Sequence, residues 1–305
     1  FPILFCLMAF VIGLSSGATV LVGQAWGANN LEKVQRVVGT TLFMTLIGGT
    51  LIAIFGVVCA KYILLALGTD PDVLHLSIPY VQWMLAGSPL LFIYIIYTSI
   101  LRGVGDSTTP LIASGMTIGT GLIITPILIT GKFGFPQLGI IAPAIATSTG
   151  FLIALVFLYI YLNKKKHPLR LDASLLSQIR YQPELSKIIL RLGIPTGIQM
   201  VTTSVAGLVI VGLVNRYGAD ATAAYGAVNQ VLNYIQFPAL SISIAASIFA
   251  AQAIGAGHAN LLNKVKRTAL WMNLFFTGTL VILAYLFSKY LMALFITDPT
   301  VVVLG

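Results

Sequence analysis

The sequence predicts an all-α integral membrane protein made of two like-oriented halves, and three observations predict it. Of its 305 residues 58% are hydrophobic and only 8% are charged, with a mean hydropathy of +0.97. An average soluble domain carries about 25% charged residues, so water could not wet this surface. Eight apolar segments reach the roughly 20 residues that a helix needs to cross a bilayer. One stretch also repeats: Gln24-Ala25-Trp26-Gly27-Ala28 returns 228 positions later as Gln252-Ala253-Ile254-Gly255-Ala256.

The repeat keeps its register without a gap. The same shift pairs Lys61-Tyr62 with Lys289-Tyr290, and Thr69-Asp70-Pro71 with Thr297-Asp298-Pro299. Between these anchors Thr40, Met44 and Leu46 meet Thr268, Met272 and Leu274. Internal duplication in an apolar chain marks transporters.

The predicted spans run in order from Phe1 to Val22, Val37 to Ala60, Leu76 to Leu101, Leu111 to Thr130 and Leu138 to Leu162. After a polar linker come Ile188 to Val214, Ala223 to Ala250 and Ala269 to Phe287. Strands of a barrel would be about half as long and would alternate. Pro89, Pro126, Pro143, Pro195 and Pro238 fall inside these helices, where a bilayer tolerates them as bends.

The loops orient the spans. Thirteen of the 17 Lys and Arg residues fall in alternate loops on one side, which makes that side cytoplasmic by the positive-inside rule. Loops 23–36, 102–109, 163–187 and 251–268 are then cytoplasmic, in a multi-pass protein of the cell membrane. The repeat begins in span one and again in span seven, so six spans make a unit, and an even number leaves both units facing the same way. A complete protein of twelve helices in two lobes is expected, with this chain a fragment of it. Residues 1–162 form the first lobe, 163–187 a cytoplasmic linker and 188–305 the second lobe. Leu175, Leu176 and Ile179 are expected on one face of a short interfacial helix in the linker.

Other classes find no support. The +9 net charge could suggest nucleic acid, but the basic residues sit in short loops rather than on one solvated face. Cys6 and Cys59 lie in apolar segments and read as buried hydrophobes. His75, His167 and His258 have no ligand spacing around them, so no metal site is argued. No paired nucleophile and base lies at depth, and the chain does not read as an enzyme.

Two loop motifs stand out. Arg102-Gly103-Val104-Gly105-Asp106-Ser107-Thr108-Thr109-Pro110 joins spans three and four. Its glycines end one helix, and Thr109 before Pro110 is expected to cap the next. It reads as a tight, capped turn or as a gate in which Arg102 or Asp106 pairs across the lobes. Gln24 and Gly27, with their copies Gln252 and Gly255, read as close helix ends or as gating loops.

Every acidic residue falls in or beside a loop, whereas an ion-coupled pump usually keeps a carboxylate at depth. Neutral polar groups do collect on helix faces. Asn229, Asn233 and Gln236 form a stripe on span seven, Gln199, Thr202 and Thr203 a patch on span six, and Tyr94, Tyr97 and Thr98 another on span three. Such stripes are interhelical glue or the wall of a wet cavity.

In order and spacing these motifs resemble the multidrug and toxic compound extrusion (MATE) family. The pattern Ser15-Ser16-Gly17 to Gln24-x-x-Gly27-Ala28 looks like that family's second helix and following loop. Arg102-Gly-x-Gly-Asp106-x-x-Thr109-Pro110 looks like its loop between helices four and five. Leu192-Gly193-Ile194-Pro195 looks like the start of its seventh helix. The resemblance implies an exporter of organic cations and other xenobiotics, driven by H+ or Na+ entry, without a cofactor and acting as a monomer. Many members carry Asn-x-x-x-Asp before the proline of helix five, where this chain has Gly121 and Thr125, and a glutamate in helix seven, where it has no acid. Tyr94, Tyr97, Thr125, Gln199, Thr203, Asn229 and Asn233 are the candidate cavity residues for small amphipathic or cationic substrates. The alternative is a flippase for lipid-linked sugars or another lipid, which would favour a more cationic cavity.

Overall fold

A computed structural model describes residues 2–66, 71–131, 134 and 136–288. Among these residues ten α-helices follow one another: α1 (Pro2–Gly27), α2 (Leu31–Ala66), α3 (Pro71–Ala86), α4 (Ser88–Gly103), α5 (Thr108–Thr130), α6 (Ala142–Lys164), α7 (Ala173–Ser177), α8 (Pro183–Val214), α9 (Ala219–Gly255) and α10 (Leu261–Leu286). Eight stretches are long and apolar enough to cross a membrane, and they match the eight predicted spans.

Span three differs from the single helix expected. It is divided at Gly87 into α3 and α4, with Pro89 in the first turn of α4. A proline there has no N–H to give the preceding turn, and its ring crowds the carbonyl four residues back. The chain therefore bends just ahead of it.

Four helices, α1, α4, α6 and α9, stop in the same way. Asn30 N bonds to Ala25 O at 3.0 Å and Asn29 N to Trp26 O at 2.9 Å. The repeat copies this 228 positions on, with His258 N to Ala253 O at 2.9 Å and Gly257 N to Ile254 O at 3.1 Å. Asp106 N to Leu101 O closes α4, and His167 N to Leu162 O closes α6, each at 3.0 Å. These are Schellman closures, which need one residue in the left-handed region. Asn29, Gly105, Lys166 and Gly257 fill that place, with φ of 53°, 92°, 50° and 73°. The two copies of the repeat thus end in the same turn, one that α4 and α6 use as well. The part of the repeat at Lys289-Tyr290 and Thr297-Asp298-Pro299 lies outside the described residues.

The chain forms two compact units, Phe1–Gly197 and Ile198–Gly305. In the first, α1, α2 and α4 surround a core that includes Val11, Val22, Phe92, Ile96 and Ile100, all fully buried. The rings of Phe10 and Phe92 lie 5.8 Å apart. Cys59 on α2 is half-buried rather than enclosed; the side chain of Cys6 lies outside the described residues.

Small residues set the closest approach. A Cβ on Gly193 would lie 2.3 Å from Gly13 O, and one on Gly17 would lie 2.3 Å from Ile189 O. The first half of α8 therefore touches α1 backbone to backbone, through Gly13-x-x-x-Gly17 and Gly193-x-x-x-Gly197. Lipid tails give apolar helices no hydrophobic reason to associate, so close van der Waals contact between small residues carries the packing. Thr196 Oγ1 and Ser16 Oγ, 3.4 Å apart, add a polar contact in the same seam.

The linker is fastened to the first unit. Leu169 and Leu175 are fully buried. Leu176 is 53% exposed, so it does not share the face of Leu175 and Ile179 that the sequence suggested. With only five residues α7 has one inward face. That face packs on α2, where a Cβ on Gly39 would sit 2.1 Å from Gln178 O.

Candidate functional site

The loop 104–107 and the linker meet at the basic end of the first unit. Arg102, near the end of α4, is partly buried and donates to Ser99 Oγ at 2.7 Å. Asp106 accepts from Thr109 N at 3.0 Å and from Thr109 Oγ1 at 2.5 Å. This corrects the expected cap: α5 begins at Thr108, and the oxygen that receives its first-turn N–H belongs to Asp106, not to Thr109. A carboxylate serves better there because its charge complements the positive helix end. Thr109 itself is fully buried.

Asp106 also faces the linker, with Oδ2 4.0 Å from Nε2 of His167. Burial raises the Asp106 pKa, but the two Thr109 hydrogen bonds and the nearby charges of His167 and Lys165 outweigh it, and the net direction is down from the ordinary 3.8. Burial holds the His167 pKa below its ordinary 6.5, against the upward pull of Asp106. His167 Nδ1 accepts from Leu169 N at 3.1 Å, so its remaining N–H is on the Nε2 side, toward Asp106. Asp172 caps α7 through Leu175 N at 3.1 Å and holds Arg170 Nε at 3.0 Å.

The two tyrosines of α4 have separate duties. The Tyr97 hydroxyl donates to the carbonyl of Leu169, which ties α4 to the linker. Tyr94 is buried, pairs with Ser114 Oγ of α5 at 2.9 Å and lies 5.2 Å from the Phe151 ring of α6. Thr98 folds back onto the carbonyls of Tyr94 and Ile95. Tyr94, Ser114 and Phe151 thus join three helices in an aromatic and hydroxyl cluster. Ser114 was not singled out in the sequence, since one serine among apolar residues gives no periodic signal. Thr125 is half-buried on α5, one residue before Pro126.

Gln199, Thr203, Asn229 and Asn233 are exposed in the second unit, as is Gln236. Thr203 Oγ1 bonds to Gln199 O at 2.9 Å, and Thr202 Oγ1 to Ile198 O at 2.9 Å. A groove of about 350 Å³ between α9 and α10 brings Ser243, Ser247, Lys266 and Asn273 together. The sequence reading missed it, because these residues come from two helices and only their packing unites them.

Gln24, Gly27, Gln252 and Gly255 all belong to the helix ends described above. Ala28 N bonds to Gln24 O at 3.1 Å and Ala256 N to Gln252 O at 2.9 Å. These backbone bonds give both copies of the motif a turn-closing role.

The comparisons with known proteins agree across the chain. The MatE family model matches residues 1–127 and 195–305. A probable multidrug resistance protein of Bacillus subtilis, YoeA, is 42% identical over 298 residues, spanning 98% of this chain and 64% of that protein. An FAD transporter of Shewanella oneidensis is 27% identical over 301 residues, spanning 99% of this chain and 66% of that protein. The crystal structure of a MATE in complex with MaL6 shares the fold, with a TM-score of 0.89 at 23% identity over 99% of this chain and 66% of that one. The chain spans about two thirds of the length of the relatives it matches.

Proposed function

Because this chain belongs to the multidrug and toxic compound extrusion (MATE) family, we propose that the protein containing it is a secondary active transporter that exports amphipathic or cationic compounds in exchange for H+ or Na+. The observation that carries this reading is the family match, which spans both halves of a duplicated multi-pass membrane chain. Residues 1–162 and 188–305 belong to two lobes that rock about a shared cavity, with 163–187 as the cytoplasmic linker between them. The basic loops face the cytoplasm of the cell membrane, in which the transporter acts as a monomer. Ion entry biases the lobes between two states, by as much as the ion's differential affinity for each.

Tyr94, Thr125, Gln199, Thr203, Asn229 and Asn233 line the cavity in this proposal. Neutral amides and hydroxyls suit a varied set of substrates, since they donate and accept without fixing a charge. Tyr97 belongs to the cavity only through its ring, because its hydroxyl is held by Leu169. The similarity to an FAD transporter supports a second reading, a larger anionic cargo.

The test is efflux of a fluorescent lipophilic cation from cells making the full-length protein. Asn229→Ala with Asn233→Ala should slow efflux at equal expression. Unchanged efflux overturns the assignment of these residues, and faster loss of FAD than of the cation would favour the second reading.

A further inference from the structure

At the basic end of the first unit the starts of α2 and α8 frame an open groove of about 580 Å³. Lys33 and Arg36 reach it from α2, and Arg180 and Tyr181 from the segment before α8. Glu32 and Glu184 are there too, in the first turns of the two helices. Glu32 is engaged by Arg36, while Lys33 and Arg180 form no ion pair among the described residues. The wall as a whole keeps one excess positive charge. Both helix starts add the positive end of a helix dipole, with Asn30 Oδ1 already accepting from Lys33 N at 2.9 Å. Gln182, also in the wall, has an amide nitrogen that no acceptor meets.

Below this polar mouth the same face of α2 turns apolar. Phe43, Ile47, Leu51, Ile54, Val58 and Tyr62 recur at spacings of three and four, in line with Glu32 and Arg36 above them. Ile47, Leu51, Ile54, Val58 and Tyr62 are between 46% and 71% exposed. Tyr181 joins the two regions: it lines the groove, and its ring lies 6.3 Å from that of Phe43. A cationic mouth at the membrane boundary above a continuous apolar stripe has the shape and polarity of one ligand class. We propose that this groove is a binding site for a phospholipid with an anionic headgroup, its phosphate between Lys33 and Arg180 and its acyl chains along α2. Basic clusters at a membrane surface recognise such headgroups. None of its lining residues is among the proposed cavity residues, and the site does not depend on what is transported.

The experiment uses the full-length protein in detergent, with lipid retention read by native mass spectrometry against phosphatidylglycerol, phosphatidylcholine and inorganic phosphate. Phosphatidylglycerol should be retained in preference to phosphatidylcholine. Lys33→Gln with Arg180→Gln should weaken phosphatidylglycerol binding by roughly 30-fold, about 5-fold for each charge. Lys264→Gln with Arg267→Gln, at the basic end of α10, should leave the preference unchanged and so controls for general attraction. Tyr181→Ala should weaken both lipids alike. Equal retention of the two lipids by the wild type overturns the proposal. So does an unaltered preference in the Lys33 and Arg180 variant, provided that it elutes as a single folded species. Inorganic phosphate binding as tightly as phosphatidylglycerol would also overturn it, in favour of a free-anion site.

Discussion

Replacing Gly193 by alanine tests the seam between α1 and α8 directly. The new Cβ would lie 2.3 Å from Gly13 O and 2.8 Å from Gly13 C, both backbone atoms that cannot rotate away. To reach an ordinary carbon–oxygen contact the helices must part by roughly 1 Å, and a gap of that size forfeits a quarter to a half of each dispersion contact beside it. Overpacking of this kind costs about 1–3 kcal/mol. Alanine also favours a helix over glycine by up to about 1 kcal/mol, which complicates the raw value. Gly121 removes that complication. It sits in α5 with nothing within 4 Å of a Cβ, so Gly121→Ala gains the same propensity without the clash. The difference between the two variants isolates the overpacking. It should appear as a thermal midpoint lower by about 2–4 °C for each kcal/mol in Gly193→Ala than in Gly121→Ala, read by tryptophan fluorescence of the full-length protein in detergent. Indistinguishable midpoints would refute the close approach.

Four further predictions use the basic end. Lys166→Gly should stabilise by about 0.5–1 kcal/mol and Gly257→Ala should destabilise by about 1 kcal/mol, since the first relieves and the second creates a left-handed side-chain strain; chemical denaturation of the two variants checks the opposite signs. Tyr97→Phe removes the hydroxyl bonded to Leu169 and should raise hydrogen exchange over residues 165–172 selectively. Acid should loosen the linker in two stages, followed by the same exchange at successive pH values. His167 has its pKa held below 6.5 in the docked state, so as pH falls through 6.5 the released linker takes up the proton first and docking weakens. Asp106 has its pKa held below 3.8, so its contribution is present above that value and is lost as pH falls through the lower docked value. Asp106→Asn should lower the His167 pKa further, whereas Asp106→Ala should also cost about 1 kcal/mol through the lost cap of α5.

The spans were legible because a bilayer imposes one crude rule, some 20 apolar residues per crossing, that survives any detail of packing. The duplication was legible because Gln24 to Ala28 and Gln252 to Ala256 form the same local turn. What the letters hid depends on partners distant in sequence. Asp106 outcompetes Thr109 as the cap because the loop folds its carboxylate back over the first turn. Leu176 leaves the face of Leu175 because α7 is too short to present a stripe. The meeting of Gly13 with Gly193 involves helices 180 residues apart, although both Gly-x-x-x-Gly pairs were visible and could have been matched. The polar residues of α9 were easy to find by periodicity, whereas Ser114 needed Tyr94 across from it to acquire meaning.

The shared closure of α1, α4, α6 and α9 bears on how such a chain is made. Each stop uses six consecutive residues and no distant partner, so it can form while the ribosome is still adding the next span. Helix lengths at that end are therefore settled in order of synthesis. Leu169 and Leu175 differ, because their seats exist only where distant parts of the first unit have packed together.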